Sequence, residues 1–252
     1  MDTNPMVSVI TPCYNAESFI AETIESVINQ TYTNWEMLIC DDCSTDNSAK
    51  IIKDFCQRDV RIKYLRTQKA SGSPAMPRNI AIDKAQGRYL AFLDSDDIWL
   101  SFKLEEQLRL IREKECPLVY SNYEKMDELG ERSDRVVYAP RQVALRQFNF
   151  GNPLPCLTVL VDTFITGKFQ FPNMHHEDCI AWIELIKKYG CAYNTNTVTA
   201  CYREVRNSVS NNKLKILSWQ WNIFRNVLHF SLVKSVWCYA CYAYLGFRKS
   251  RK

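Results

Sequence analysis

Residues 77–99 read PRNIAIDKAQGRYLAFLDSDDIW, and this stretch decides the fold. Pro77 suits the first turn of a helix and Gly87 suits its end, so the two residues bracket a predicted helix. The apolar run 89–93 is then typical of a buried β-strand. Four polar residues, Asp-Ser-Asp-Asp, follow that strand at 94–97. A helix, a buried strand and an acidic turn in this order predict an α/β protein whose chemistry lies at a strand end.

Strand and helix patterns alternate over the whole of residues 7–120. The short apolar runs that predict the other strands are 7–10, 35–40, 62–65 and 118–121. Asn15 and Asp46 are predicted to cap two of the intervening helices, and the apolar spacing around Leu104 predicts another. Such alternation predicts a mostly parallel, Rossmann-like central sheet flanked by helices. The pattern weakens over 122–175, where we expect irregular structure that shapes an acceptor site.

Composition excludes several classes of protein. The chain has 252 residues, of which 46% are apolar and 24% charged, and this suits one large domain or a domain with an appendage. No two of its seven glycines stand one residue apart, so a GxGxxG dinucleotide loop is excluded, and a GxxxxGK[ST] phosphate loop is absent as well. The pairs Cys40/Cys43 and Cys238/Cys241 are interpreted as small hydrophobes, since structural zinc needs four convergent ligands. Polar residues 1–5 do not resemble a signal peptide, which favours a reducing cytosol.

Charge is unevenly distributed along the chain. The net charge is +4, yet nine basic residues and no acidic ones follow Glu204. Residues 1–204 therefore contain 23 basic and 28 acidic residues. The basic tail 211–252 is also aromatic, and its longest uncharged run, 235–247, has 13 residues against roughly 20 needed to cross a bilayer. We expect tail helices that lie in an anionic membrane interface. Packing of the tail on the catalytic body or in a homodimer is an alternative, and nucleic-acid binding is a third reading that rests on charge alone.

Polar clusters follow three of the predicted strands, at 12–15, 41–42 and 94–97. In an open α/β sheet such strand ends meet at one crevice. Neighbouring like charges repel unless a cation lies among them, so Asp94 and Asp96 predict a site for Mg²⁺ or Mn²⁺, ions that take oxygen ligands and bind diphosphates. The structural alternative is that these acids cap helices, with Asp97 as the candidate.

Four segments, taken together and in order, resemble the motifs of glycosyltransferase family 2, which are inverting enzymes of the GT-A fold. The segments are VSVITPCYN (7–15), INQTYTNWEMLICDDCSTDNS (28–48), PRNIAIDKAQGRYLAFLDSDDIW (77–99) and HED (176–178). The resemblance implies a catalytic domain over 1–210, with a donor-binding half at about 1–121 and an acceptor-side half at about 122–210. The helical tail 211–252 follows it.

The resemblance also implies an activity: transfer of a sugar from a nucleotide diphosphate donor, usually UDP-linked, to a hydroxyl group with inversion. We expect a bacterial enzyme that extends a lipid-linked oligosaccharide for a surface polysaccharide such as capsule, O-antigen or lipooligosaccharide. The lipid-linked acceptor and a location on the inner face of the cell membrane are inferred from the tail. Transfer to polyprenyl phosphate, or a non-catalytic module that binds nucleotide sugars or glycans, are the alternatives.

On the donor side, the resemblance assigns Pro12 and Tyr14 to the nucleobase and ribose pocket. Asp42 would accept a hydrogen bond from the base. Asp94 would face the ribose or a metal-bound water, and Asp96 would bind the metal ion that bridges the two phosphates.

Around the reacting atoms, the resemblance assigns Arg78 to a phosphate or to the adjoining acidic cluster, where a structural salt bridge is the alternative. Arg203 is expected to meet the diphosphate. Asp178 matches the catalytic base, which removes the proton of the acceptor hydroxyl. Relatives often carry a histidine after the position of Arg203 and this chain does not, so a third protein ligand for the metal is left open. His175 and His176 are interpreted as shaping the site rather than as ligands.

Overall fold

The computed structural model describes residues 5–205 and 213–249, and these form a central sheet with helices on both of its faces. The strands are β1 (Val7–Cys13), β2 (Trp35–Asp41), β3 (Ile62–Arg66), β4 (Tyr89–Phe92), β5 (Ile98–Trp99), β6 (Leu118–Met126), β7 (Arg132–Val137), β8 (Gln142–Ala144), β9 (Leu160–Asp162) and β10 (Cys191–Arg203). The helices are α1 (Ile20–Ile28), α2 (Ser48–Arg58), α3 (Ala75–Lys84), α4 (Lys103–Lys114), α5 (Thr163–Thr166), α6 (Glu177–Tyr189), α7 (Lys213–Asn222) and α8 (Leu232–Lys249). Short 3₁₀ turns at Leu145–Phe150 and Cys156–Thr158 link β8 to β9.

The strand order of the sheet is β3-β2-β1-β4-β9-β6-β10-β5. The first four strands are parallel to one another, as the alternation of strands and helices predicts. Strand β9 then lies antiparallel between β4 and β6, and the long β10 is parallel to β6. The mostly parallel sheet with a helical C-terminal extension is thereby confirmed, with a reversed strand at its centre.

The central strands are buried on both faces because helices cover both faces of the sheet. Successive residues of β1 enter opposite cores: Val9 packs on the side of α1, α2 and α4, and Ile10 packs on the side of α3 and α6. Ile39 and Leu38 of β2 divide in the same way. The carboxyl ends of these strands are therefore fixed relative to one another by two apolar layers.

Several sequence predictions of strand length were wrong. Strand β1 continues to Cys13 and includes Pro12. Its pairing with β4 stops at Ile10 and only β2 accompanies it further, so Pro12 lies where one side of the strand is unpaired and proline is tolerated. Strand β6 runs on to Met126, and residues 122–175 contain β7, β8, β9 and α5 in place of the expected irregular structure. Those strands are short or exposed and leave no long apolar run in the sequence. Strand β10 was not predicted, since Asn and Thr interrupt its apolar pattern.

Neither helix cap predicted from the sequence is correct. The prediction for Asp46 was wrong by one residue: the N-cap of α2 is Asn47, and the Asp46 Oδ1 accepts the backbone N–H of Ser48 at 2.9 Å in the turn just before the helix. The prediction for Asn15 was wrong: α1 begins only at Ile20, and the Asn15 Oδ1 accepts the N–H of Thr45 at 2.8 Å instead. Asn15 has a φ of 47°, a left-handed conformation that asparagine tolerates. It therefore joins the turns after β1 and β2.

The tail forms α7, a π-helical turn at Ile223–Val227 and α8. No helix in the described ranges is long and apolar enough to cross a bilayer. Helix α8 contacts the body where Trp237 meets Phe150 and Tyr242 approaches Gly151, and its Ser235 and Cys238 are fully buried. The predicted domain boundary between residues 210 and 211 lies outside the described residues. All eleven cysteines are free thiols, as their interpretation as small hydrophobes requires.

Candidate active site

The three polar clusters predicted at strand ends meet at one edge of the sheet. Parallel pairing aligns Cys13 of β1 with Asp41 of β2, and β4 lies on the other side of β1. The turns after β1 and β2 are joined directly, since the backbone N–H of Asn15 donates to the Ser44 Oγ at 3.0 Å. Asp42 follows β2, and its backbone N–H donates to the Cys13 carbonyl at 2.8 Å. The strand ends therefore lie side by side, as the sequence predicts.

Asp42, expected to recognise the nucleobase, is buried under the loop that follows β3. Its carboxylate accepts the Thr67 Oγ1 hydroxyl at 2.9 Å, the Ser71 Oγ hydroxyl at 2.8 Å and the Gly72 N–H at 3.2 Å. Gly72 has a φ of 68°, which glycine adopts without strain and which lets the loop turn over the carboxylate. Tyr14 stands 57% exposed after β1. A base that reached Asp42 would have to share or displace these donors.

The acidic turn after β4 is held from behind through its backbone carbonyls. The Thr23 Oγ1 lies 3.0 Å from the Ser95 carbonyl oxygen and 2.9 Å from that of Asp97, so its single proton serves both acceptors. The Nε of Arg203 donates to the Asp96 carbonyl at 2.7 Å. Because these contacts use main-chain atoms, Thr23 and Arg203 hold the turn without engaging the carboxylates of Asp94 and Asp96.

Arg203 is buried, with a side chain only 1% exposed. Its Nη2 pairs with the Glu22 Oε2 at 2.5 Å and its Nη1 donates to the Glu128 carbonyl at 3.1 Å. The backbone N–H of Arg203 also donates to the Asp97 Oδ1 at 2.9 Å. The guanidinium thus supports the acidic turn from inside the protein. Direct contact between Arg203 and a diphosphate stays a prediction, and it would require these hydrogen bonds to rearrange.

Burial and mutual repulsion disfavour the charged forms of Asp96 and Asp97 in the turn. Burial, together with the nearby charge of Asp94, raises the pKa of Asp96 to about 6. Burial also raises the pKa of Asp97 well above its ordinary value. The half-buried carboxylates of Asp94 and Asp96 offer only oxygen ligands. Such a pair fits a divalent ion that completes its coordination shell with phosphate oxygens and water. Within the described residues no group of three or more candidate metal ligands occurs, so no third protein ligand is found there.

Arg78 connects the acidic turn to the predicted catalytic helix. Its Nη2 pairs with the Asp94 Oδ1 at 2.5 Å and its Nη1 with the Glu177 Oε1 at 2.6 Å. The side chain is 4% exposed, and its guanidinium carbon lies 5.5 Å from the centre of the Phe171 ring. Of the two roles left open by the sequence, the structure shows the contact with the acidic cluster. One buried arginine therefore sets the distance between the end of β4 and the start of α6.

Asp178 lies in the first turn of α6, where it is partly buried. Its Oδ2 accepts the Asn152 Nδ2 at 2.8 Å, and its Oδ1 accepts the N–H of Cys179 at 2.7 Å. Burial and the adjacent charge of Glu177 raise the pKa of Asp178 to about 7. A carboxylate whose pKa lies near the working pH is suited to general-base catalysis. Asn152 was not predicted, because a single asparagine beside a proline is an ordinary loop signal.

The two histidines before α6 pack on the tail. The His175 ring stacks on Trp219 of α7, with centroids 3.9 Å apart and planes 15° apart, and the His176 ring meets the same indole edge-on at 5.6 Å. Both imidazole rings thus contact the tail, and the interpretation that they shape the site stays a prediction. The contact with Trp219 was not predicted, because from the sequence Trp219 is one of many tail aromatics.

The fold places the protein in a class. S. aureus TarS 1-349 in complex with UDP-GlcNAc superposes with a TM-score of 0.72 at 18% identity, over 94% of this chain and 71% of TarS. The mannosyltransferase PcManGT from Pyrobaculum calidifontis, in complex with GDP-Man and Mn2+, superposes with a TM-score of 0.69 at 15% identity, over 96% of this chain and 70% of PcManGT. The chain has the GT-A fold of these glycosyltransferases.

Sequence comparison then gives the family. The family model described as "Glycosyl transferase family 2" matches residues 8–167. TuaG of Bacillus subtilis (strain 168), named as a teichuronic acid biosynthesis glycosyltransferase, is 40% identical over 240 residues, 95% of each chain. WfgD of Escherichia coli, named as a UDP-Glc:alpha-D-GlcNAc-diphosphoundecaprenol beta-1,3-glucosyltransferase, is 36% identical over 97% of this chain and 94% of its own. The chain belongs to glycosyltransferase family 2, as the four motifs indicate.

Proposed function

We propose that this glycosyltransferase is metal-dependent and inverting, and that it transfers a sugar from a UDP-linked donor to a hydroxyl of a lipid-diphosphate-linked glycan in surface polysaccharide synthesis. The observation that carries the proposal is the Arg78 bridge, which ties the acidic turn at Asp94 to the helix that bears Asp178. The names of TuaG and WfgD support the acceptor class. The TarS complex with UDP-GlcNAc supports the nucleotide.

The residues divide the chemistry as follows. Asp178 removes the proton of the acceptor hydroxyl as that oxygen attacks the anomeric carbon of the donor. Asp94 and Asp96 would hold the divalent ion, which supplies neutralisation of the charge on the departing nucleoside diphosphate. Asp42, Tyr14 and Pro12 would receive the nucleoside. A single displacement from the face opposite the leaving group inverts the anomeric centre, and it requires no enzyme nucleophile, so the cysteines have no part in it.

The proposal is tested with purified protein, a panel of UDP-sugars and an N-acetylglucosaminyl diphosphate that carries an alkyl chain. We expect transfer with Mn²⁺ and none with a chelator. The anomeric proton signal in the NMR spectrum of the product should show that the configuration of the transferred sugar is inverted relative to the donor. The Asp96→Asn variant should lose metal-dependent UDP binding in calorimetry, whereas the control Asp54→Asn on α2 should retain it. Transfer to undecaprenyl phosphate instead would favour that alternative acceptor, and absence of both transfer and donor hydrolysis would favour a binding module.

We also propose that α8 holds the enzyme on the inner face of the cell membrane. Apolar residues at helical spacing line the exposed side of α8: Val233, Val236, Trp237, Ala240 and Tyr244. This side lies opposite the buried Ser235 and Cys238, and the tail carries eight basic residues and no acid. An apolar stripe within a basic segment is suited to an anionic membrane interface.

Vesicle flotation tests the membrane proposal on the full-length protein. A double variant, Val233→Ser with Trp237→Ser, should float less with anionic vesicles, because two exposed apolar side chains are lost. The control Leu129→Ser removes an equally exposed apolar side chain from the turn before β7, and its flotation should match that of the wild type. Salt-sensitive binding to RNA or DNA without binding to vesicles would favour the nucleic-acid reading instead. Equal flotation of the double variant and the wild type would show that another surface binds.

A further inference from the structure

A cavity of about 560 Å³ opens between β6, β7 and the segment 146–155. Two tyrosines, Tyr123 and Tyr138, contribute aromatic rings to its lining, and Asn152 contributes an amide. That amide is the one that donates to the Asp178 Oδ2 at 2.8 Å. The cavity wall therefore contacts the predicted catalytic base directly. Aromatic faces beside polar amides are a surface that suits a sugar ring.

Arg146 is the only charged side chain among the described residues that line the cavity, and it is exposed to solvent. The other lining residues are apolar, aromatic, proline, glycine or neutral amide side chains. A guanidinium in such a setting can form paired hydrogen bonds with the oxygens of a phosphate group. The cavity thus has one positively charged side chain, Arg146, that can bind an anionic part of a ligand.

Helix α8 continues the surface of the cavity toward the apolar stripe. The Phe150 ring, part of the cavity lining, meets the Trp237 ring edge-on with centroids 6.1 Å apart. Next to it, Gly151 has a φ of 113°, and a Cβ built there would lie 2.9 Å from the Tyr242 Cε2. Because only glycine permits this contact, α8 fits closely against the cavity rim.

We propose that this cavity binds the acceptor's diphosphate at Arg146, with the acceptor sugar toward Asn152 and Asp178 and the lipid chain along the exposed side of α8. The proposal deepens the proposed function and rests on it. Arg146 and Asn152 both line the cavity, Asn152 holds Asp178, and α8 meets the cavity lining at Phe150. A base, a cation and an apolar helix thus border one cavity, and these three suit the sugar, the diphosphate and the alkyl chain of one amphiphilic molecule.

The test compares two acceptors that share the sugar and the alkyl chain. One is an N-acetylglucosaminyl diphosphate alkyl ester, and the other is the neutral N-acetylglucosaminyl alkyl glycoside. We expect Arg146→Gln to raise the KM for the diphosphate acceptor by about tenfold or more, because a charge-assisted contact is lost. The KM for the neutral acceptor should change far less. Arg58→Gln, which removes the same charge from the exposed side of α2, should leave both KM values as in the wild type.

Two results would overturn the assignment and are distinct from each other. Equal effects of Arg146→Gln on both acceptors, or no effect on either, would show that the cavity does not hold the diphosphate although transfer occurs. Absence of transfer to both acceptors by the wild-type protein, despite UDP binding, would refute the proposed acceptor class and this assignment with it.

Discussion

The Asp178→Asn substitution separates a catalytic carboxylate from a structural one, because it should act on activity and on stability in opposite directions. The amide keeps the size of the side chain and can still accept the Asn152 Nδ2 hydrogen bond through its oxygen. It cannot take a proton from the acceptor hydroxyl. We therefore expect kcat to fall by on the order of 10² or more while UDP affinity stays within a few fold.

The effect on stability follows from the raised pKa of Asp178, about 7 against an ordinary value of 3.8. Between these two pH values the folded protein binds a proton that the unfolded chain has released, so the stability of the wild type falls as the pH rises. At about 1.4 kcal/mol per tenfold change in proton affinity, the charged form costs on the order of a few kcal/mol above pH 7. The amide does not titrate, but it loses one acceptor for the Cys179 N–H, at a cost of about 1–3 kcal/mol.

The free energy of unfolding of Asp178→Asn relative to the wild type should consequently increase from pH 5 to pH 8. Urea denaturation of both proteins without metal or donor at the two pH values measures this change. Glu184→Gln, on the exposed part of the same helix, is the control and should show no such trend. Turnover above about a tenth of wild type would refute Asp178 as the base, and Glu177 would be examined next. An unchanged pH trend would refute the electrostatic argument.

Two further predictions concern buried cations. Arg203→Lys should lower the free energy of unfolding by about 3 kcal/mol and weaken UDP binding, because a lysine cannot contact Glu22 and the carbonyl oxygen of Asp96 together. Unchanged stability of the variant in urea would contradict the role of Arg203 in supporting the turn. Lys103 is fully buried beside Trp99, and burial lowers its pKa to about 7. Since the pKa of Lys103 is lower in the folded protein than in the unfolded chain, the free energy of unfolding of the wild type increases as the pH rises from 7 toward 10. The gain in free energy of unfolding from Lys103→Met should therefore be largest near pH 6 and shrink toward pH 10. A constant difference over that range would show that Lys103 does not titrate.

The parallel half of the sheet could be predicted because each strand there is a short apolar run followed by a polar turn. Strand β9 could not, since three residues that pair antiparallel between β4 and β6 leave almost no pattern in the sequence. The acidic turn could be predicted because such a density of charge directly after a buried strand is unusual. Its backbone supports, Thr23 and Arg203, come from elements distant in the sequence, and no local signal joins them to Asp96.

The arrangement around the turn indicates where a divalent ion would be held. Asp94 already has the Arg78 guanidinium as a partner, and the Asp97 Oδ1 accepts a backbone N–H inside the protein. For Asp96, burial and the charge of Asp94 disfavour the ionised form, and Arg203 holds its backbone carbonyl rather than its carboxylate. An acid whose charge is disfavoured in a rigid, half-buried position gains most from a cation that arrives with the substrate. Of the three aspartates of the turn, Asp94 is thus paired with Arg78 and burial favours the uncharged form of Asp97, so Asp96 is the one at which the ion and the diphosphate would complete the site.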